Sequence, residues 1–178
     1  MVELTTGNLL EASAEALVNT VNTVGVMGKG IALQFRQEFP RNYELYRSAC
    51  KRGEVVPGKM FVVPTERLDN PKYIINFPTK RDWKSRSRVE DIEAGLVDLV
   101  DTIRREGIGS IAVPPLGCGN GGLNWAEVRP RILHALAAVP EVRVMLFEPG
   151  GAPEPEAMAI ATKRPAMNPR LEPSMPRR

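Results

Sequence analysis

Three short loops of the sequence are rich in glycine and asparagine, and each follows an apolar, strand-like segment. The first is Gly7-Asn8, the second spans residues 19–30 (NTVNTVGVMGKG), and the third is Gly117–Gly122 (GCGNGG). Glycine lets main-chain amides approach a phosphate closely. Ligands of open α/β sheets bind beyond the carboxyl ends of the strands, so the three loops predict one shared site that binds phosphate.

Asn22 stands where the second strand becomes a loop. An amide at such a place can hold a sugar hydroxyl with both a donor and an acceptor. An alternative is that the side chain only caps a turn. Asn19 lies three residues earlier, and side chains three apart in an extended strand face opposite ways. We therefore expect the two asparagines to do different jobs.

The glycines at positions 25, 28 and 30 precede a helical segment whose N-terminus would add positive potential for a phosphate. The GKG sequence lacks the GK[ST] of a P-loop, which argues against a nucleotide triphosphatase. Gly117–Gly122 fits the dinucleotide pattern G-x-G-x-x-G, but the acidic residue expected about twenty positions later, Glu141, precedes the next strand instead of ending it. We interpret the third loop as a diphosphate cradle without a nicotinamide.

The segment FPTKRDWKSRSR, residues 77–88, concentrates positive charge between a strand and a helix. Its five cations and one carboxylate give a net charge of +4, with a tryptophan at the centre. A solvated surface loop is the simplest interpretation of such a charge run. Cations interleaved with an aromatic are also what a phosphate backbone and an unstacked base require. The residues predicted to contact a nucleic acid are Arg81, Trp83, Lys84, Arg86 and Arg88.

Length and composition limit the class of protein. The chain has 178 residues, of which 43% are hydrophobic and 25% charged, so one globular domain with a tail fits and wholesale disorder is excluded. The formal charge of +3 is compatible with an anionic ligand. The longest apolar stretches are strand-length and the N-terminus lacks a signal segment, so we expect a cytoplasmic protein without a membrane span.

Cysteine and histidine are scarce: Cys50, Cys118 and His134 are the full set. The cysteines lie far apart without a CxxC, so neither a zinc site nor a disulfide framework is predicted. Both thiols are expected to be small buried hydrophobic groups, and His134 a packed or surface side chain of a helix. We expect no cofactor and no metal, because the glycine loops also lack the carboxylates that hold magnesium.

The elements that position these loops alternate between strands and helices. Strands are predicted at residues 2–5, 16–21, 59–65, 72–78, 110–115 and 142–147. Helices are predicted at 31–39, 42–52, 89–107 and 124–139, the third opened by an S-x-x-E capping box of Ser87 and Glu90. The strands at 59–65 and 72–78 are apolar enough to be central in a sheet covered on both faces. This order predicts an α/β layered fold with a mixed, largely parallel sheet.

The composition changes at Pro149. Prolines become frequent and no hydrophobic period is sustained. We therefore predict a folded domain over residues 1–148 and a proline-rich linker or disordered tail over residues 149–178.

The combination of motifs resembles the macrodomain family, whose members bind ADP-ribose. The resemblance rests on GN after the first strand, VNTVN followed by GVMGKGIALQF, a strand ending in NFPTK, and PLGCGNGGLNW before a helix. It covers about residues 1–148 and implies a three-layer α/β/α macrodomain sandwich with a mixed central sheet. Within the family, the sequence looks most like the branch of DNA ADP-ribosyl glycohydrolase antitoxins (DarG), which is related to terminal ADP-ribose glycohydrolases that use a lysine.

The resemblance also implies roles for single positions. Asn8 and the Leu9 amide would lie near the adenine, Asn22 beside the distal ribose, and Lys80 at the anomeric carbon, so that Lys80 and Asn22 are the predicted catalytic residues. The predicted ADP-ribose ligands are Asn8, Leu9, Thr20, Asn22, Gly28, Lys29, Gly30, Gly117, Cys118, Gly119, Asn120, Gly121 and Gly122. Two positions depart from the family pattern, because Asn8 replaces a frequent aspartate and Gly121 stands where lysine-using relatives have a catalytic aspartate.

The implied activity removes ADP-ribose from modified DNA bases, thymidine by resemblance, in an antitoxin that counteracts a DNA ADP-ribosyltransferase toxin. The implied partners are ADP-ribosylated single-stranded DNA, the ADP-ribose product, and the cognate toxin DarT, bound mainly through a C-terminal region missing here; a monomer is expected. The alternatives are a non-catalytic ADP-ribose reader and a hydrolase of free ADP-ribose derivatives. A reader would need no Lys80, and a hydrolase of free derivatives would have little use for the basic loop.

Hydrolysis of an N-glycosidic bond at a ribose C1 requires stabilised positive charge on the sugar and an activated water or a nucleophile. A neutral lysine can attack C1 or relay a proton. A protonated lysine can donate to the leaving base or hold the substrate. The sequence leaves these roles of Lys80 open.

Overall fold

A computed structural model describes residues 1–150 of the chain. The strands are β1 (Val2–Thr5), β2 (Ala16–Asn22), β3 (Phe61–Pro64), β4 (Tyr73–Lys80), β5 (Ser110–Val113) and β6 (Arg143–Phe147). The α-helices are α1 (Gly30–Glu38), α2 (Pro40–Lys51), α3 (Val89–Glu106) and α4 (Trp125–Leu136), and a short 3-10 helix, Leu9–Glu11, follows β1. All but the first two residues of the predicted tail lie outside the described residues. Within residues 1–150, no helix has the length and apolar character to cross a membrane.

The strands form one six-stranded sheet in the order β1-β6-β5-β2-β4-β3. Only β3 runs antiparallel to its neighbour, and the other pairs are parallel. The predicted mixed, largely parallel sheet is confirmed. The carboxyl ends of five strands consequently meet at one edge.

Helices cover both faces of the sheet. Alternate residues of each strand point to opposite faces, so Val18 packs in a core with α3 and α4 while its neighbour Leu17 packs with Phe35 of α1. A third cluster joins Val21 to Tyr46 of α2. The predicted three-layer α/β/α sandwich is confirmed, with α1 and α2 on one face and α3 and α4 on the other.

The boundary between the first two helices differs from the prediction. The chain turns at Phe39, and Pro40 begins α2 two residues before the predicted start at Asn42. Proline suits the first position of a helix, because its missing N–H would have no intrahelical acceptor there. Pro40 therefore both ends α1 and opens α2.

The prediction that both strands of the 59–78 region are central was wrong for one of them. β4 lies between β2 and β3, but β3 lies at the edge and pairs with β4 alone. Only Val63 of β3 is buried. A short apolar run does not distinguish an edge strand with one packed face from a central strand.

The predicted capping box at α3 is not formed. Arg88 occupies the N-cap position and makes no side-chain capping bond. Ser87 lies one residue earlier, where its amide donates to the Gly121 carbonyl at 3.0 Å. The contact between two loops has replaced the local cap, and Glu90 and Asp91 in the first turn supply the favourable negative charge instead.

Candidate functional site

A cavity of about 630 Å³ opens at the carboxyl edge of the sheet. It lies within the range of roughly 300 to 1,000 Å³ typical of small-molecule sites. Its lining from the three predicted loops comprises Gly7, Asn8, Leu9, Thr20, Val21, Asn22, Val26, Gly28, Lys29, Gly30, Gly117, Gly119, Asn120 and Gly121. The three loops therefore share one cavity, because the strands before them end at the same edge.

Asn8 organises the backbone at the β1 end of the cavity. Its Oδ1 accepts a hydrogen bond from the Leu10 amide at 3.1 Å and caps the 3-10 helix. Leu9 is buried beneath this turn. The side-chain Nδ2 of Asn8 donates no hydrogen bond within residues 1–150, so it is available to a ligand.

Asn22 organises the loop after β2. Its Oδ1 accepts hydrogen bonds from the amides of Val24 at 3.1 Å and Val26 at 3.2 Å, and its Nδ2 donates to the Val26 carbonyl at 2.8 Å. The residue is only 7% exposed. The turn-capping interpretation thus accounts for most of its hydrogen bonds, and one hydrogen of Nδ2 remains without a partner in the described part of the chain.

Tyr46 of α2 anchors the same loop from the helical layer. Its hydroxyl lies 2.7 Å from the Asn22 carbonyl oxygen and 2.9 Å from Asn22 Oδ1, and donates to them. Burial raises the pKa of Tyr46 well above its ordinary value, and the nearby Cys50 thiol adds to the rise. The hydroxyl consequently stays protonated and remains a donor to Asn22.

Asn19 and Asn22 both face the layer of α1 and α2, so the prediction that they face opposite ways was wrong. Asn19 Nδ2 donates to Asn76 Oδ1 at 3.2 Å, and Asn76 in turn donates to Asn42 of α2 at 2.8 Å. The prediction assumed regular alternation. The register of β2 on β4 shifts between Val21 and Asn22, and the chain leaves the sheet there. Their jobs do differ, since Asn19 is fully buried among asparagines and Asn22 shapes a cavity loop.

The first turn of α1 faces the cavity, where Gly30 and the N-cap residue Lys29 both line it. Gly30 has a positive φ of 57°, and a Cβ on it would lie 3.3 Å from Asn120 Nδ2, so the second and third loops meet at this point. The first amides of a helix have no intrahelical acceptor and attract anions. This end of the cavity suits a phosphate group.

The third loop presents mainly backbone to the cavity because four of its six residues are glycines. A Cβ on Gly119 would meet nothing within 4 Å, whereas one on Gly121 would lie 2.3 Å from Ser87 Oγ and 2.4 Å from the Gly117 carbonyl oxygen. Gly121 therefore cannot carry an aspartate, the residue that the family resemblance implies at this position, without movement of the loop. The departure from the family pattern at this position is built into the packing.

Lys80 is the last residue of β4 and lines the cavity. It is paired with Asn22 in the register of β2 on β4, so the two predicted catalytic residues are cross-strand neighbours. Its Nζ donates to the Trp83 carbonyl at 3.3 Å. The structure thus brings Lys80, Asn22 and the glycine loops into one site.

Asp82 folds the basic loop that follows Lys80. Its Oδ1 accepts hydrogen bonds from the amides of Lys84 and Ser85, both at 2.7 Å. These bonds lower the pKa of Asp82 and keep it ionised. Trp83 and Lys84 line the cavity, with Trp83 53% exposed and Lys84 Nζ 4.8 Å from the centre of its ring.

Five predicted site residues do not line the cavity: Arg81, Arg86, Arg88, Cys118 and Gly122. Arg81 pairs with Asp91 of α3 at 3.3 Å, and Arg86 donates to the Gly122 carbonyl at 3.0 Å. Burial raises the pKa of the Cys118 thiol to about 11. Cys118 and Cys50 are half-buried free thiols, less enclosed than predicted.

The end of β6 also contributes to the cavity, although none of its residues was among the predicted site residues. Phe147, Glu148, Pro149 and Gly150 line the cavity, and Glu148 is the one carboxylate among its described lining residues. The Glu148 amide donates to the Thr5 carbonyl at 2.9 Å, which sets it beside the Gly7-Asn8 loop. The rule that ligands bind at strand ends would have found it, had it been applied to the last strand. Among residues 1–150, no group of three or more His, Cys, Asp or Glu side chains could hold a metal ion.

Comparisons with curated proteins point to one family. A family model described as Macro domain matches residues 18–132. A DNA ADP-ribosyl glycohydrolase from Mycobacterium tuberculosis is 55% identical over 151 residues, which cover 85% of this chain and 43% of that protein. One from Thermus aquaticus is 52% identical over 169 residues, which cover 95% and 47%. The chain therefore spans less than half the length of these two relatives.

Solved structures give the same result. The macrodomain of Mycobacterium tuberculosis DarG is 55% identical with a TM-score of 0.83, and the match covers 84% of this chain and 99% of that one. The structure of Thermosipho africanus DarTG in complex with ADP-ribose is 35% identical with a TM-score of 0.78, covering 88% and 44%. With the family model matching most of the sequence, the sheet of the same fold and the loops gathered in one cavity, this chain belongs to the macrodomain family.

Proposed function

We propose that this chain is the ADP-ribose-binding and catalytic domain of a DNA ADP-ribosyl glycohydrolase. The observation that carries the proposal is the position of Lys80, which lines the same cavity as the two loops suited to a diphosphate and neighbours Asn22 across the sheet. A simple reader of ADP-ribose would need the loops and have no use for the lysine. The names of the relatives from Mycobacterium tuberculosis and Thermus aquaticus support the same activity.

ADP-ribose would bind along the cavity with its diphosphate between the first turn of α1 and the third loop. Backbone amides supply the binding groups there, so no metal is needed to balance the charge. Asn8 would lie at the adenine end. Calorimetry with and without a chelator tests this arrangement, and an affinity that disappears with the chelator would contradict it.

Lys80 would act at the ribose C1 that carries the modified base. Water supplies the oxygen of the new C1–O bond, the C1–N bond breaks, and the base nitrogen takes up a proton. A neutral Nζ would form a transient bond to C1, whereas a protonated Nζ would donate to the leaving base. Intact mass spectrometry of quenched reactions distinguishes the two roles, because only attack by Nζ produces a covalent adduct on Lys80.

The basic loop would receive the DNA. Trp83 is exposed at the cavity and offers a ring face to an unstacked base, and stacking of this kind contributes about 1 to 3 kcal/mol per base. Lys84, whose Nζ lies 4.8 Å from the centre of the Trp83 ring, and Arg88 are both exposed and would contact phosphates. These features favour single-stranded DNA, in which a modified thymidine is free to enter the cavity.

The biological role that follows is that of a cytoplasmic antitoxin, acting as a monomer, that reverses the modification made by a DNA ADP-ribosyltransferase toxin such as DarT. The Thermosipho africanus relative is named as a fusion of such a transferase with a DNA ADP-ribosyl glycohydrolase. The presence of both enzymes in one chain of that relative supports a role of the hydrolase in reversing the transferase reaction. Growth rescue of cells that express the toxin tests it.

The test of the activity compares an ADP-ribosylated single-stranded oligonucleotide with an ADP-ribosylated protein and measures released ADP-ribose. We expect release from DNA that falls steeply with salt, because phosphate contacts release counterions. Lys80→Ala should abolish release and leave ADP-ribose affinity nearly unchanged, whereas Lys51→Ala, at an exposed lysine of α2, should act as the wild type. Binding of ADP-ribose without any hydrolysis would indicate a reader, and hydrolysis of free ADP-ribose derivatives without release from DNA or protein would indicate a hydrolase of free ADP-ribose derivatives.

A further inference from the structure

The basic loop is hydrogen-bonded to the third glycine loop at two consecutive residues. Arg86 Nη2 donates to the Gly122 carbonyl at 3.0 Å, and the Ser87 amide donates to the Gly121 carbonyl at 3.0 Å. Arg86 and Gly122 are 36 positions apart in the sequence. This contact therefore couples the loop that begins at Lys80 to the loop suited to a diphosphate.

The contact between the two loops leaves no room for a side chain at Gly121 and little room for one at Gly122. A Cβ on Gly121 would lie 2.3 Å from Ser87 Oγ, and a Cβ on Gly122 would lie 3.1 Å from Arg86 Nε. Ser87 is 6% exposed, and its Oγ has no hydrogen-bond partner within residues 1–150. The guanidinium and the serine thus pack directly on the peptide groups of the loop.

Arg86 contacts the loop at Gly122, outside the lining of the cavity. Gly117, Gly119 and Gly121 line the cavity, whereas Gly122 and Arg86 do not. A ligand inside the cavity therefore meets the loop and not the guanidinium. Any effect of Arg86 on such a ligand has to pass through the conformation of the loop.

We propose that Arg86 is a positioning residue that holds the third glycine loop in its ligand-binding conformation. Four glycines in six residues give this loop a large choice of backbone conformations, and the bonds from Arg86 and Ser87 add to the loop's own backbone hydrogen bonds in restricting that choice. When the competent conformation is only partly populated, the apparent affinity falls by that fraction. This role differs from that of a DNA phosphate contact, and the identity of the ligand rests on the proposed function.

The test uses the full chain with Arg86→Met, which keeps the aliphatic stem and loses every donor, and Arg86→Lys, which keeps a charge and a donor. The matched control is Arg104→Met, because Arg104 Nη2 makes a similar exposed bond to the Ala138 carbonyl at 2.9 Å, away from the cavity lining. We expect Arg86→Met to weaken ADP-ribose binding about tenfold, as a loss of the competent population would. Arg86→Lys should recover part of the affinity, and Arg104→Met should bind as the wild type.

Hydrogen exchange of the ligand-free protein separates this inference from the proposed function. The amides of residues 117–122 should exchange faster in Arg86→Met than in the wild type and in Arg104→Met, with similar melting temperatures for both variants. Unchanged exchange and unchanged ADP-ribose affinity, with a smaller salt dependence of DNA turnover, would overturn the proposal and make Arg86 a phosphate contact. If Arg86→Met exchanges faster than the wild type but the wild type binds no ADP-ribose, the proposed ligand is refuted and the positioning role of Arg86 remains.

Discussion

Two glycines of the third loop meet different constraints although only one residue separates them. Gly119 has open space where a Cβ would point, and Gly121 has Ser87 and Gly117 within 2.4 Å of that point. Sequence spacing treats the two positions alike. Their packing predicts different consequences of substitution.

Gly119→Val should reduce ADP-ribose affinity with little change in melting temperature, because its side chain would enter the cavity without a clash. Gly121→Ala should reduce the affinity and also lower the melting temperature, because overpacking of a tight contact typically costs about 1 to 3 kcal/mol. Calorimetric titration and thermal unfolding of the two variants measure this difference. Equal melting temperatures would contradict the close contact at Gly121.

The Cys118 thiol should react slowly at neutral pH, because burial raises its pKa from 9.0 to about 11. The folded state favours the protonated thiol, so its contribution to stability is complete below pH 9.0 and is lost as the pH rises to about 11. Labelling rates with a disulfide reagent across this range, in a Cys50→Ser background, measure the effect. Fast labelling at neutral pH would show an accessible thiolate and refute the assignment.

At the level of the elements, α3 fixes the strand that ends in Lys80. Gly95 of α3 packs on the ring of Phe77, which is fully buried in β4. A Cβ on Gly95 would lie 2.3 Å from Phe77 Cζ, so the helix approaches the sheet more closely than any other residue would permit. The position of Lys80, three residues after Phe77, depends on this approach.

Gly95→Val should destabilise the domain by about 2 kcal/mol, since overpacking displaces either the helix or the Phe77 ring. Ala94→Val is the matched control, because it adds a similar side chain at an exposed position of the same helix. The free energy of unfolding from denaturant titration gives the comparison. If both variants unfold at the same denaturant concentration, the close packing of α3 on β4 is not a constraint.

Asparagines join a different pair of elements. Asn42 and Asn76 exchange hydrogen bonds at 3.2 and 2.8 Å, which ties α2 to β4, and Tyr46 of the same helix holds the loop at Asn22. Fully or largely buried amides are costly unless they are paired, so this cluster specifies one position of α2 on the sheet. The helix thereby supports the cavity without contributing a lining residue among those described.

Across the whole molecule, the last described strand ends at Phe147, and the sequence sustains no hydrophobic period after Pro149. Removal of residues 153–178 should therefore leave the melting temperature and the ADP-ribose affinity unchanged. Thermal unfolding and calorimetry of the shortened chain test this boundary. A large fall in the melting temperature would place part of the folding unit beyond it.

Local patterns were sufficient for all six strands and for the existence of the four α-helices. Ile31, Phe35 and Phe39 share one packed face as their spacing predicts, and α3 is capped at its C-terminus by Gly107, which has a positive φ of 64°. These signals depend only on residues that are neighbours along the chain, so they can be interpreted without knowledge of the fold. The errors at β3 and at the α3 cap arose where a distant segment competes with a local preference.

The family, the order of elements and the loops that form the cavity follow from the sequence, because periodicity, glycine and strand ends are local properties. The common facing of Asn19 and Asn22, the edge position of β3, the part played by Glu148 and the partner of Arg86 required the folded chain. Each depends on a register shift, a strand order or a contact between loops remote in sequence. Such pairings are set by how the layers pack, and no short segment of the sequence contains both partners.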